Sequence, residues 1–237
     1  MRKLIIAFVM AALPALSMAS GGMHLEHANA DVSDIESLQR GAKTFVNYCL
    51  SCHSAQYMRY NRMGKDLGLT DEQVKENLMF TTDKIGDTMT VAMSQADATA
   101  WFGNPPPDLS VIARARGADW LYTYFKTFYV DDKKPMGFNN AVFPDVGMPH
   151  VLWELEGLKA AKKDDHGNIS GYEVIQPGKL SADEYDQVAH DLTNFLVYVG
   201  EPIQLERKRL GFWVLLFLAI FFVFAYALKK EYWKDIH

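Results

Sequence analysis

Cys49-Leu50-Ser51-Cys52-His53 places two thiols three residues apart with an imidazole directly after them. At the end of a helix such a spacing puts both sulfurs on one face, where they can reach the two vinyl groups of a single porphyrin while the adjoining imidazole meets the iron. The motif therefore predicts covalent attachment of haem c through Cys49 and Cys52, with His53 on the metal. Two other chemistries use paired cysteines. A thioredoxin-like redox pair needs a βαβ setting that the helical pattern here does not offer, and a zinc site needs a second pair, whereas the chain has only two cysteines.

An iron that shuttles electrons takes a sixth ligand, and a methionine thioether is the choice that raises the potential. Eight methionines follow the first nineteen residues. Met23 lies in an N-terminal lead expected to be soft, and Met58 and Met63 follow His53 too closely to reach the opposite face easily. Met79, Met89 and Met93 sit where packing is the ordinary role. Met136 and Met148 remain, both in Pro/Gly-rich loops. Met148 is favoured because Gly147 and Pro149 fix an extended loop that presents sulfur with little loss of conformational freedom. Met136 ranks second and His150 third.

The elements that must position these groups read as mainly helical. Ser33 with Glu36 suggests a capping box for a helix carrying Ile35, Leu38, Ala42, Phe45 and Val46 and ending at the cysteines. Thr70 with Gln73 opens another helix, and Ser181 with Glu184 a long one that runs to Gly200 and stops before Pro202. Leu192, Phe195, Leu196 and Val199 give that last helix an apolar face. Val111 to Val130 reads as helical but broken near Gly117. Asn104 to Asp108 (NPPPD) and Pro135 to Pro149 read as extended loops, since proline removes donors and pushes its predecessor away from helix. Lys159 to Lys179 suggests a hairpin around Gly167 and Gly171.

Both ends of the chain carry membrane signals. Residues 1–19 run from Arg2 and Lys3 through an apolar stretch to Ser17 and Ala19, the pattern of a cleaved signal peptide. Leu210 to Leu228 is nineteen residues without a charge, about 29 Å as a helix, enough to span a bilayer. The expected organisation is a signal peptide over 1–19, a haem domain over 20–209, one transmembrane helix over 210–228 and a cytoplasmic tail over 229–237. Arg207, Lys208 and Arg209 precede the span and Lys229, Lys230 and Lys234 follow it, so charge alone does not orient it. The signal peptide does, leaving the domain outside. Against 29 acidic residues the whole chain has 24 Lys and Arg, a net charge of −5. Losing Arg2 and Lys3 leaves 22 − 29 = −7. An acidic surface excludes nucleic acid as a partner, and its carboxylate groups could together steer a basic one.

Taken in order, Arg40 to Ser54 (RGAKTFVNYCLSCHS), NPPPDLS at Asn104 to Ser110, Ala115-Arg116, Gly147-Met148-Pro149, Phe195 to Pro202 (FLVYVGEP) and Arg207 to Gly211 resemble the cytochrome c1 family. That family is the haem subunit of ubiquinol–cytochrome c oxidoreductase, the cytochrome bc1 complex. The resemblance implies a class I cytochrome c core enlarged by insertions, with one C-terminal anchor helix. It implies one haem c held by Cys49 and Cys52, iron ligated by His53 and Met148, Arg116 facing a haem propionate and Pro106 beside the haem. Extra cysteines found in some relatives are absent, and any stabilising disulfide with them. The implied function is to accept an electron from a Rieske iron-sulfur protein and pass it to cytochrome c, within a multisubunit, dimeric complex that also holds cytochrome b. The quinol chemistry would lie on a partner subunit, and the haem domain on the periplasmic side of a bacterial inner membrane. A free-standing anchored cytochrome relay, or a haem-based sensor, are the alternatives. A nine-residue tail has no room for a sensor's output domain.

Overall fold

The computed structural model describes residues 24–235, so the expected signal peptide and Met23 lie outside the described residues. The mainly helical expectation holds. Helices α1 (Ile35–Tyr48), α2 (Tyr60–Asp66), α3 (Asp71–Asn77), α4 (Gln95–Phe102), α5 (Ile112–Arg116), α6 (Ala118–Lys126), α7 (Trp153–Glu156), α8 (Ala182–Gly200) and α9 (Gln204–Tyr232) are joined by short strands. The strands form three separate antiparallel pairs: β1 (Ala55–Arg59) with β2 (Thr88–Met89), β3 (Phe128–Val130) with β4 (Phe138–Asn140), and β5 (Gly157–Lys163) with β6 (Ile169–Pro177).

The core is the crossing of α1 and α8. Leu38, Ala42, Phe45 and Val46 recur at helical spacing on one face of α1 and are all buried, as are Leu192, Phe195, Leu196 and Val199 on α8. Phe45 and Phe195 meet with ring centroids 5.5 Å apart. The helices close to backbone distance at Gly41, where an added Cβ would lie 2.1 Å from the Asp191 carbonyl oxygen and 2.7 Å from Phe195 Cβ. Beside that contact the Asp191 carboxylate, 3 % exposed, accepts a fork from Arg40 at 2.6 and 3.0 Å. It also accepts from Ser37 Oγ at 2.7 Å and from Gln187 at 2.9 Å. Burial works to raise the Asp191 pKa, but the hydrogen bonds from Arg40, Ser37 and Gln187 outweigh it and hold the carboxyl below its ordinary value.

Several local expectations need correction. The cap of α1 is Asp34, which accepts from Ser37 N at 3.0 Å. Ser33 is captured by Asp31, its hydroxyl donating to Oδ1 at 2.6 Å, and Ile35 in the first turn is 38 % exposed because it precedes the contact with α8. The lead is not soft: Ala28 and Val32 are buried, Glu26 N donates to Thr123 Oγ1 and Ala28 N to Asp119 Oδ1, and Asn194 grips the Asp31 carbonyl. It straps α6. The Pro135–Pro149 stretch is only partly loop, since Phe138–Asn140 finds ladder partners in Phe128–Val130. Helix α4 went unforeseen, although Ser94 caps it through Asp97 N.

Other expectations hold. Thr70–Gln73 and Ser181–Glu184 form capping boxes, and the chain breaks between α5 and α6 at Gly117, whose φ of +92° favours glycine. The β5–β6 hairpin turns at Gly167, while Gly171 pairs with Lys162 inside β6. Helix α9 is longer than the apolar stretch that marks it, 29 residues with a mean hydropathy of 2.5 in its most apolar window. It is the one helix among the described residues long and apolar enough to cross a membrane, and it contributes no side chain to the core.

Gly41→Ala should force the two helices apart at their closest point, costing about 1–3 kcal/mol as other overpacked contacts do. Thermal unfolding of the detergent-solubilised protein should show a fall of several degrees, and an unchanged midpoint would mean the crossing is looser than described. Asp191 carries a depressed pKa, so its contribution is present above the unfolded-state value of about 4 and is lost as pH falls through the folded value. Asp191→Asn should lower stability at neutral pH and make the loss on acidification below about pH 4 shallower than in the unsubstituted protein. Denaturant titrations at stepped pH check both.

Candidate functional site

The cysteine motif is a continuation of α1 by one further turn. Cys49 N donates to Phe45 O at 2.9 Å, and Cys49 O then accepts from both Cys52 N at 3.0 Å and His53 N at 2.8 Å. Leu50, 1 % exposed, pins the turn into the core. Cys49 is buried, Cys52 is half-buried, and both are free. Burial, with a smaller contribution from neighbouring Cys52, pushes the Cys49 thiol up to about 12. A redox pair needs the opposite, a thiol lowered at a helix N-terminus, whereas this one closes a helix C-terminus. Among the described residues there is also no group of three or more His, Cys, Asp or Glu side chains that could hold a metal ion by themselves. The turn therefore lacks the helix N-terminal setting that a redox pair uses.

His53 is fixed by the proline run. Three consecutive prolines have no N–H to donate and stay extended, but they keep their carbonyls, and Pro107 O lies 2.7 Å from His53 Nδ1. A carbonyl only accepts, so Nδ1 carries the proton and Nε2 keeps its lone pair. Burial lowers the His53 pKa, against smaller opposing effects of the Pro107 carbonyl and Asp108. The net lowering favours a neutral imidazole. The run is itself laced to the segment after the motif: Leu109 N donates to Ser54 O at 2.7 Å, Gln56 N to Asp108 at 3.0 Å and Tyr57 N to Ser110 Oγ at 3.1 Å. Cys52, Pro105 and Pro106 line a cleft of about 250 Å³ with Val91 and Met93. Met93, whose sequence neighbours suggest ordinary packing, lies beside the motif only through the fold.

Met148 does not line that cleft. It is half-buried in the loop before α7, packs on the core, and its Sδ accepts from Tyr124 Oη at 3.4 Å. The alternatives separate from it: Met136 is 41 % exposed at the tip of the β3–β4 hairpin. His150 is 3 % exposed, stacked on Phe128 at 4.9 Å, with Nε2 2.7 Å from Glu156 Oε2. Met58, Met63, Met79 and Met89 are core residues. Arg116 lies over Trp120 and Phe143, 5.0 and 5.5 Å from the ring centroids, and has no carboxylate partner among the described residues. Arg114, by contrast, pairs with Glu201 at 2.8 Å. An arginine held by ring faces keeps its fork of donors for a carboxylate from elsewhere.

The donor set suits a covalently held haem: two free thiols on one turn, a neutral imidazole with a free Nε2, a thioether in a fixed loop and an unspent guanidinium. Sequence reasoning missed the Pro107 carbonyl and Tyr124. The first had a signal in the proline run, and the second had none beyond lying in an aromatic helix. The acidic groups expected to act together have local duties as well. Glu184 completes a cap, Asp131 and Asp164 close turns, and Asp186 pairs with Lys126 at 2.6 Å.

The Cytochrome C1 family model matches residues 27–236. The chain is 53% identical to a "Cytochrome c1" of Allochromatium vinosum over 244 aligned residues, covering all of both chains. It is 48% identical to an "Ammonia monooxygenase gamma subunit" of Nitrosomonas europaea, over 99% of this chain and 97% of that one. It is also 28% identical to a "Cytochrome c1" of Rhodospirillum rubrum, over 86% and 83%. With the haem-type turn, its laced proline run and the single apolar helix in place, this match over nearly the whole described length means that the chain belongs to the cytochrome c1 family.

Proposed function

We propose that this chain is the haem c electron-transfer subunit of a membrane ubiquinol–cytochrome c reductase, taking an electron from a Rieske iron-sulfur protein and passing it to a cytochrome c. The observation that carries the reading is the CxxCH turn at the end of α1 with its imidazole clamped by the Pro107 carbonyl. Members of the family bind one covalent haem c, which supplies a one-electron iron couple when attached.

The chain's own residues then have distinct tasks. Cys49 and Cys52 tether the porphyrin, so that it survives loss of either iron ligand. His53 would ligate through Nε2, with Nδ1–H donating to Pro107 O so that the ring is held in place and its tautomer fixed. Met148 supplies the thioether that favours the reduced iron. Arg116 would hold a propionate, and Pro106, which shares a cleft with Cys52, would pack against the haem. Quinol chemistry falls to a partner subunit, as the resemblance to the cytochrome c1 family implies. Helix α9 anchors the domain, and residues 20–209 lie on the periplasmic side of the bacterial inner membrane once the signal peptide over 1–19 is removed. Cytochrome b and a second copy of the complex complete the assembly.

The relative named as an ammonia monooxygenase gamma subunit supports a second reading, a c1-type chain assembled with a different membrane enzyme. Purification of tagged, detergent-solubilised protein from its native membranes separates the two. Recovery with a b-type cytochrome and a Rieske protein, and quinol-driven reduction of this chain's haem followed by added cytochrome c, supports the reductase. Recovery with an ammonia-oxidising enzyme and no b-type cytochrome overturns it.

Attachment is checked separately. On a denaturing gel stained for haem peroxidase activity the chain should give a band, because thioethers survive unfolding, and Cys49→Ala with Cys52→Ala should remove it. A colourless band from a strain that matures c-type cytochromes would sink the haem assignment.

A further inference from the structure

We infer that Tyr124 is a positioning residue for the Met148 thioether, donating its phenolic hydrogen to Sδ and thereby raising the potential of the iron couple. The inference rests on Met148 as the sixth ligand and deepens that reading. Tyr124 Oη lies 3.4 Å from Met148 Sδ, and this is the one acceptor the hydroxyl finds among the described residues. A buried phenol ordinarily finds a stronger acceptor than sulfur. Here the choice is imposed by the surroundings, because Tyr124 is 8 % exposed and walled by aromatic rings.

The ring has little freedom to turn elsewhere. Trp120 stacks on it at 5.0 Å with planes 11° apart, while Phe128 and Phe125 meet it edge-on at 4.9 and 5.7 Å. Its backbone is held as well, since Asn140 Nδ2 donates to Tyr124 O at 2.8 Å. The lead strap fastens α6 at Asp119, five residues earlier, and at the adjoining Thr123. Methionine is the opposite case, an unbranched side chain with three rotatable bonds. The rigid partner therefore sets where the flexible one places its sulfur.

The electronic consequence follows from the lone pairs of a thioether. Sulfur has two, so one can face the metal while the other accepts from Tyr124. A donor on the second pair withdraws density from the first, which weakens donation to the iron and disfavours the oxidised, more electron-poor state. Hydrogen bonds to ligand sulfur are a recognised lever on metal potentials. Arg116 lies over the same Trp120 ring, 5.0 Å from its centroid.

The test is a redox titration of the purified full-length protein, with absorption spectra of the oxidised form, comparing Tyr124→Phe, Tyr122→Phe and Met148→Leu. Tyr124→Phe keeps the ring and should keep sulfur ligation, seen as the near-red sulfur-to-iron band, but with that band displaced and the midpoint potential lowered. Tyr122→Phe removes a phenol of the same helix that donates to Asp186 instead and should leave both unchanged. Met148→Leu should abolish the band and lower the potential further, and adding Tyr124→Phe to it should change nothing more. If Met148→Leu abolishes the band while Tyr124→Phe matches the unsubstituted protein, the hydrogen bond has no electronic role and the inference falls alone. If Met148→Leu leaves the band intact, the ligand assignment falls and takes the inference with it, and Met93→Leu becomes the variant expected to remove the band.

Discussion

Everything at the haem-binding turn depends on the near-contact of two backbones, α1 and α8 at Gly41. Helix α1 ends in the cysteine motif, so its tilt and rotation decide where the thiols and imidazole point. Its only extensive partner among the described residues is α8. With no Cβ at residue 41 the helices approach closely enough for Phe45 and Phe195 to meet. The Asp191–Arg40–Ser37 hydrogen bonds beside that contact fix the register along the axes. A buried carboxylate gains little net energy over an apolar side chain of the same shape. What it adds is directionality, since an apolar seam tolerates sliding and a forked hydrogen bond does not.

From that base the site is assembled by a second, weaker kind of constraint, the one-sidedness of proline. A polyproline segment offers acceptors without donors, and the chain uses it where acceptors are needed. Pro107 O fixes the histidine tautomer, and the flanking Asp108 and Ser110 take backbone N–H groups from the segment after the motif. A regular strand in its place would present both donors and acceptors, and half would need partners next to a hydrophobic cofactor. The side of Met148 is held differently, by aromatic packing on α6, so the two side chains proposed as iron ligands are supported by unrelated parts of the fold.

Glu201 links the domain to its anchor. Pro202 ends α8, and Glu201 accepts from Arg207 on α9 and from Arg114 on α5; the Arg207 hydrogen bond foremost, with both guanidinium charges, outweighs burial and holds the carboxyl down to about 2. Both guanidinium partners are 58 % exposed, so solvent screens the pairs and they add little to stability. Its value is geometric: one carboxylate sets the direction in which the membrane helix leaves the domain. It also occupies Arg114, leaving Arg116, two residues on, for the ring stack.

The sequence by itself determined whatever depends on local spacing. The cysteine motif, the capping boxes at Thr70 and Ser181, the break at Gly117, the hairpin turn at Gly167 and the apolar helix near the C-terminus are all set by residues within a few positions of one another. Local reasoning erred where two neighbours could do the same job, as at Ser33 and Asp34, where Asp31 settled the matter. It also erred where the partner lies far along the chain, as for the lead strapped to α6 and the strand at Phe138–Asn140. Preference for Met148 over Met136 could be argued from flanking residues, but burial of one beside Tyr124 and exposure of the other is a tertiary outcome. So are the Pro107 clamp on His53, 54 positions away, and the aromatic cradle of Arg116. A hydrogen bond between distant segments leaves no periodic trace in either, because its energy depends on the approach of two backbones that only the packed core brings together.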